Sequence, residues 1–201
     1  MSTLLIFGAG GHGRVVADAA LRQAAWSRLV ASDRNPARQL GQLLPGVPLQ
    51  ALTLEGGARL HVAIGQNGAR KAEASALGLE RLASVVHPMA SVSDYAIVAD
   101  GCFIAAQAVV APGAVLHAGV IVNHGAVVDH DVRVGAFSHI APGATLGGEA
   151  SVGEGVLVGA GAVLLPGVAV CDGVVIGAGA VVRGAIDEPG VYAGVPARRI
   201  A

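Results

Sequence analysis

From Val92 to Val182 an aliphatic residue returns every six positions without a slip: Val92, Val98, Ile104, Val110, Leu116, Val122, Val128, Val134, Ile140, Leu146, Val152, Val158, Leu164, Val170, Ile176 and Val182. Two residues earlier runs a register of mostly small residues, among them Ala96, Cys102, Ala108, Ala114, Ala126, Ser138 and Ala144. Neither an amphipathic helix nor an alternating strand keeps a period of six. A fixed short period predicts a coil of stacked turns, its aliphatic positions forming one continuous core. Each hexad supplies one short strand and one tight corner, and Pro112-Gly113, Pro142-Gly143 and Pro166-Gly167 mark corners. Three hexads close a triangular turn of 18 residues, so the series predicts about five turns.

Residues 1–86 follow a different pattern. Leu4–Phe7 reads as a buried strand, Arg14–Ala25 as a helix, Leu29–Ser32 as a second strand, Leu60–Ile64 as a third, and Ala69–Leu77 as a helix closed by Gly78. Arg81–Val86 reads as a short strand feeding the coil, with Pro88 at the boundary. Strands alternating with helices predict a small parallel sheet. The expected organisation is a Rossmann-like α/β domain over 1–86 and a parallel β-helix over 87–201.

Charged residues make up 13% of the chain and the net charge is −1, which leaves no basic field for nucleic acid. Aromatic residues make up 3%, too few for base-stacking platforms. The hydrophobic fraction of 53% is interrupted by Gly, His and Asp, and no apolar run reaches membrane-spanning length. The opening MSTLLIFGAGG lacks the basic start of a secretory signal. Cys102 and Cys171 have no metal-ligand spacing, and Cys102 falls in the inward register. A reduced, cytoplasmic setting is expected.

Gly8-Ala9-Gly10-Gly11-His12-Gly13 fits G-x-G-x-x-G between a strand and a helix, with Asp33 ending the next strand. By motif this is a dinucleotide fingerprint: glycines admit a pyrophosphate and the helix N-terminus faces it. Only half of a full dinucleotide fold is present, and no hydride-transfer domain follows. Four of the seven histidines, His117, His124, His130 and His139, fall close together. Asp129 and Asp131 flank His130, a pairing suited to general base catalysis near neutral pH. In an extended strand neighbours point to opposite faces, so Asp131 can reach His130 only where a corner breaks the alternation. Asp129 is the other candidate partner. Metal binding is the rival reading of these histidines, without a diagnostic spacing.

The hexads Val134-Gly135-Ala136, Val152-Gly153-Glu154, Val158-Gly159-Ala160 and Ile176-Gly177-Ala178 resemble the hexapeptide-repeat acyltransferase pattern. Gly190-Val191-Tyr192-Ala193-Gly194-Val195-Pro196-Ala197-Arg198 resembles that superfamily's exit segment. Joined to the glycine loop, the whole chain resembles the NeuD/PglD-type sugar acetyltransferases. The resemblance implies a left-handed β-helix, a homotrimer, acetyl-CoA as donor and no metal. It implies His130 as base and Asp131 as its partner. It implies acetyl-CoA contacts from His139, Ala160 and Ala178, with Arg198 and Arg199 near the CoA phosphates. For the sugar nucleotide it implies Gly10, Gly11, His12, Asp33, Arg34, Gly65 and Asn123; Arg34 stands where related enzymes carry a second acid. The expected reaction is N-acetylation of the 4-amino group of a UDP-linked amino-6-deoxy sugar. A GDP-linked perosamine-type sugar, O-acetylation of sialic acid, and a non-enzymatic β-helix subunit are the alternatives.

Overall fold

A computed structural model describes residues 3–54 and 57–201. The N-terminal part is a three-stranded parallel sheet in the order β2-β1-β5, with β1 at Thr3–Phe7, β2 at Arg28–Ser32 and β5 at Arg59–Val62. Two helices, α1 at Gly11–Gln23 and α2 at Asn67–Leu77, flank it. Helix α1 begins three residues before the expected Arg14, because the end of the glycine loop is already helical. It stops at Ala24, which takes a left-handed conformation (φ 53°). A hairpin of β3 (Gln42–Leu44) and β4 (Val47–Pro48) was not expected from the pattern; its turn is Pro45-Gly46, with Gly46 at φ +84°. The expected strand over Arg81–Val86 is corrected to a single 3-10 turn at Leu79–Arg81 and a strand, β6, at Val85–Val86. The Ala83 N–H bonds to Leu60 O, so the segment first runs beside β5 and only then enters the coil.

Beyond this point every hexad forms a two-residue strand and a four-residue corner. The strands stack in parallel with an 18-residue register, as in Val109↔Val127 and Val127↔Thr145. Three faces result. The first runs from Ser91–Val92 through Val109–Val110, Val127–Val128, Thr145–Leu146 and Val163–Leu164 to Val181–Val182, and the second from Ile97–Val98 to Ala169–Val170. The third carries Phe103–Ile104, Ile121–Val122, His139–Ile140, Leu157–Val158 and Val175–Ile176. It gains a rung from β6 and another from Val191–Ala193. Those two rungs make about six turns rather than five.

The second residue of each strand points inward, and from Ile104 onward all of these are buried. The small register fills the remaining interior. Its two polar members are satisfied: Cys102 Sγ donates to His117 O (3.2 Å), and Ser138 Oγ donates to Gly153 O (2.7 Å) while accepting from Val156 N (3.0 Å). A buried hydroxyl without such partners would be destabilising by about 1–3 kcal/mol.

The α/β part covers the third face. Phe103 and Ile121 are buried beneath it. Its strongest tie is Arg70 of α2, whose side chain is 1% exposed and which donates to Gly119, Phe137 and Ser138 carbonyls of the coil. Asn67 adds bonds to Gly155 O and Val156 O, and Lys71 pairs with Glu154. Among the described residues no helix is long and apolar enough to cross a membrane.

Candidate active site

The glycine loop leaves β1 and opens a cavity of about 330 Å³ lined by Phe7, Gly8, Gly10, Gly11, His12, Asp33, Arg34, Arg38, Ala63, Ile64 and Gly65. Its glycines serve different ends. At Gly8 (φ +115°) a Cβ would lie 2.8 Å from Ala63 O, and at Gly13 it would run into the Gly8 carbonyl. Those two glycines let the helix close on the strand. Gly10 and Gly11 have open space instead, so nothing within the chain demands their lack of a side chain. Helix α1 has no side-chain cap and no acid in its first turn. Its free N–H groups and positive dipole end therefore face the cavity mouth, the arrangement that receives a phosphate.

Asp33 tethers this loop: Oδ2 accepts from Ala9 N (2.8 Å) and Oδ1 from Asn35 N (2.9 Å). Arg34 leans over the Phe7 ring (5.8 Å) and forms a two-pronged pair with Glu73 of α2, Nη2 to Oε2 at 2.7 Å. That hydrogen bond raises the Arg34 pKa above its ordinary value. Gly65 O lies on the cavity wall and is held by Arg70 Nη1 (3.2 Å).

Gly65, on the cavity wall, also touches a patch of the coil. His139 projects from the third face, with Nδ1 3.3 Å from Gly65 O and Nε2 3.1 Å from Asn123 Nδ2. Asn123 Oδ1 accepts from His124 N (2.9 Å), which turns its amide nitrogen to the ring. The His12 ring sits 6.5 Å from that of His139. Burial, followed by neighbouring histidines and the Arg70 charge, pushes His12 down to about 3, and burial followed by the Arg70 charge pushes His139 to about 4. His61, buried behind them, falls to about 4 for the same first cause. All three rings are neutral at pH 7.

His130 and Asp131 form a separate site. The alternation problem is resolved at the backbone: Asp131 adopts φ 58°, a left-handed conformation that Asp tolerates better than most residues. This corner swings its carboxylate back to His130, with Oδ2 3.0 Å from Nδ1. Asp129 does not reach the ring; its Oδ1 accepts from the His130 backbone N–H (2.7 Å) and so shapes the corner. The exposed His130 has its pKa raised, first by the bond to Asp131 and then by the charges of Asp129, Asp131 and Glu149. With Nδ1–H donated to a carboxylate, Nε2 carries the lone pair, and it lies over Gly148 of the next rung.

The 18-residue stack explains how the ring fits. Residues one rung away are Gly113 under Asp131 and Gly148 beside His130. A Cβ on Gly148 would strike His130 Nε2 first and lie 2.5 Å from Cε1 and 3.0 Å from Cδ2, and one on Gly113 would strike the Asp131 carboxylate. The dyad occupies the corner that Pro112-Gly113 and Pro166-Gly167 occupy on other rungs, joined by Asp131 N to Pro112 O and Gly167 N to Gly148 O.

Seen on the coil, the expected site residues divide. Asn123, His124, Ala160 and Ala178 lie along the edge between the third and first faces, linked by bonds such as Gly143 N to His124 O and Gly179 N to Ala160 O. His130 and Asp131 lie on the next edge, between the first and second faces, and His117 on the remaining one. The histidines that look grouped in sequence are thus dispersed, because six-residue steps send successive corners to different edges. Among the described residues no three His, Cys, Asp or Glu side chains converge as a metal site. Arg198 and Arg199 line a groove at the far end of the coil with Arg183 and Tyr192. Arg70 and Gly148 were missed in the sequence, and Gly113 was read there only as a corner. Folding the sequence at 18 residues reveals the two glycines, but no local signal marks Arg70.

Residues 3–77 match the PglD N-terminal domain model, and residues 149–184 the bacterial transferase hexapeptide model. No curated protein matches significantly. Among solved structures, the acetyltransferase domain of PglB from Neisseria gonorrhoeae FA1090 is 39% identical over 98% of this chain and 99% of its own, with a TM-score of 0.89. The same domain has also been solved in complex with acetyl coenzyme A. PerB from Caulobacter crescentus, solved with CoA and GDP-perosamine, is 33% identical over 99% of this chain and 97% of its own, with a TM-score of 0.89. The coil accordingly matches a left-handed β-helix.

Proposed function

The chain belongs to the NeuD/PglD-type sugar acetyltransferases and is an acetyl-CoA-dependent acyltransferase. From that premise we propose that it transfers the acetyl group to the 4-amino group of a nucleotide-linked amino-6-deoxy sugar. The observation that carries this reading is whole-chain likeness to the PglB acetyltransferase domain and to GDP-perosamine N-acetyl transferase, with an imidazole–carboxylate pair at a coil corner. The sugar amine attacks the thioester carbonyl, so an N–C bond forms as the C–S bond breaks. His130 Nε2 takes the proton from the amine and returns it to the departing CoA sulfur. Asp131 holds the proton on Nδ1 and stabilises the charged ring, a role in general base catalysis worth ~10²–10⁴-fold. The glycine loop, His12, Asp33, Arg34 and Gly65 hold the nucleotide end, and Asn123 lies near the sugar. Ala160, Ala178 and His139 flank the pantetheine arm. Both nitrogens of His139 are engaged within the chain, so its contact to the donor is made through ring carbons.

A homotrimer accounts for the division of the site. The nucleotide cavity and the dyad lie on different edges of one coil, and the face between them is a stripe of half-buried Val109, Val127, Thr145, Val163 and Val181. Docking that stripe on a second copy buries it and brings one chain's dyad to another's cavity. Closed cyclic symmetry is the ordinary solution for such contacts.

UDP is the proposed nucleotide, supported by the match of residues 3–77 to the PglD N-terminal domain and by the resemblance described above. GDP is the second reading, favoured by the bound GDP-perosamine of PerB. Rates of CoA release with UDP- and GDP-linked forms of the same 4-amino sugar decide between them. A higher kcat/KM for the UDP form is expected, and a preference for GDP reverses the assignment. Absence of turnover with both, together with turnover on sialic acid, overturns the N-acetylation reading.

A further inference from the structure

Arg70 is a fully buried cation whose hydrogen-bond partners are all neutral. Its guanidinium donates to Gly119 O (2.9 Å), Ile64 O (2.9 Å), Gly65 O (3.2 Å), Asn67 Oδ1 (3.0 Å), Phe137 O (2.7 Å) and Ser138 O (3.3 Å). Burial lowers its pKa only to about 10, so it stays charged at neutral pH. A buried charge held solely by carbonyl and amide oxygens is expensive to keep. An apolar residue would join two layers without that penalty. The acceptors show what the charge does: two belong to the wall of the nucleotide cavity, and three to coil corners, including the residue just before His139.

The bonds form one chain of defined polarity. Asn123 Oδ1 is occupied by His124 N, so Asn123 Nδ2 donates to His139 Nε2. His139 Nε2 must then be unprotonated, which puts the proton on Nδ1, where it is donated to Gly65 O. Gly65 O is the carbonyl that Arg70 grips. A protonated His139 would set Nε2–H against the Asn123 amide hydrogens. The titratable and charged groups facing this patch are His12 from α1, His61 from β5, Arg70 from α2, and His124 and Cys102 from the coil. None of them is a carboxylate that would favour a charged ring.

We propose that Arg70 is a positioning residue for acetyl transfer: through the Gly65 carbonyl it fixes His139 as the neutral Nδ1–H tautomer and so orients Asn123 beside the sugar. The proposal rests on reading this patch as the sugar end of the nucleotide-sugar site, and it adds a device that couples the cavity wall to the coil. Displacing Gly65 or flipping the Asn123 amide would disturb the acceptor amine while leaving the dyad untouched.

The test uses the full chain with ¹⁵N-labelled histidine, the His139 signals being assigned by their loss in His139→Gln. In the unmodified protein His139 should show the Nδ1–H signature and should not titrate near the ordinary value of about 6.5. An Nε2–H signature, or ordinary titration, overturns the proposal without any variant having to fold. In Arg70→Met the signal should lose its fixed tautomer, and its titration should move upward while burial still holds it below that ordinary value. The kcat/KM for the sugar nucleotide should fall by ~10–10²-fold, the scale of a 1 Å misplacement. Arg70→Lys, which keeps the charge but loses the planar fork, should not restore the rate. Restoration by Lys, or a lower Tm in Arg70→Met with unaltered kcat/KM and tautomer, makes Arg70 merely structural. The tautomer is read without substrate, so its failure is separate from failure of the acetyltransferase reading, which shows only in the product.

Discussion

Gly148→Ala should disable the dyad while leaving the fold intact. No left-handed φ is required at Gly148, so alanine brings no backbone strain there. Its Cβ would, however, strike His130 Nε2 first and lie 2.5 Å from Cε1 and 3.0 Å from Cδ2, where carbon atoms prefer about 3.5–4.0 Å. The ring is exposed and can yield by turning about χ1, so stability should change by less than about 0.5 kcal/mol. Relieving the overlap moves Nε2 by about 1 Å, and a shift of that size is worth ~10²-fold in rate. At 1.36 kcal/mol per tenfold this is about 2.7 kcal/mol of transition-state stabilisation. The assay is release of CoA thiol, followed with a thiol-reactive chromophore, beside a thermal melt. A double-mutant cycle isolates the cause: in the His130→Ala background the Gly148→Ala change should do nothing further. Wild-type kcat in Gly148→Ala, or a second ~10²-fold loss in the double variant, would refute the reasoning. Gly113→Ala is the contrast, since its φ of +76° adds backbone strain of about 1–2 kcal/mol. It should lower both Tm and rate.

His130→Ala should reduce kcat by ~10²–10⁴-fold with little change in acetyl-CoA affinity, measured by steady-state kinetics and calorimetry. The neutral ring is the base, so kcat/KM should fall as pH drops through a His130 pKa that Asp131 holds above its ordinary value; Asp131→Asn should move this acid limb to lower pH and lower the plateau. His12, His61 and His139 have folded pKa values of about 3, 4 and 4, below the unfolded value of about 6.5. The unfolded chain therefore binds more protons across that window, and stability should be full above pH 6.5 and fall as pH decreases toward 4, a slope that His12→Asn should reduce in melts against pH. Val163→Glu should break the assembly and the activity together, read by mass in solution and thiol release; a fully active monomer contradicts the shared site. Mixing inactive His130→Ala and Asn123→Ala proteins after dissociation should restore turnover, because some cavities then pair an intact dyad with an intact Asn123.

The core of the coil was legible in the sequence because one local rule governs it: the second residue of each strand points inward, and Ile104 through Ile176 obey it. Corner chemistry was harder to read. Strand alternation argued against the His130–Asp131 contact, and only the left-handed φ at Asp131 resolves it. Asp129, the alternative partner, turned out to bond a backbone N–H. The run from His117 to His139 suggested a cluster because sequence proximity stands for spatial proximity in most folds. In a triangular coil, residues six apart sit on different edges and residues 18 apart touch. Arg70 was illegible for a related reason: its partners Gly119 and Ser138 lie far along the chain, and a single Arg in a short helix reads as a solvated charge. The hairpin from Gln42 to Pro48 was missed because its strands are too short to show alternation.

The most direct test is chemical analysis of the product formed from acetyl-CoA and a UDP-linked 4-amino-6-deoxy sugar. The account predicts one acetyl group added to the sugar nucleotide, attached through an amide that survives mild base, with one CoA thiol released per product and no product from the His130→Ala protein on the same timescale. A base-labile ester, an acetyl group lodged on the protein itself, or equal turnover by His130→Ala would contradict it.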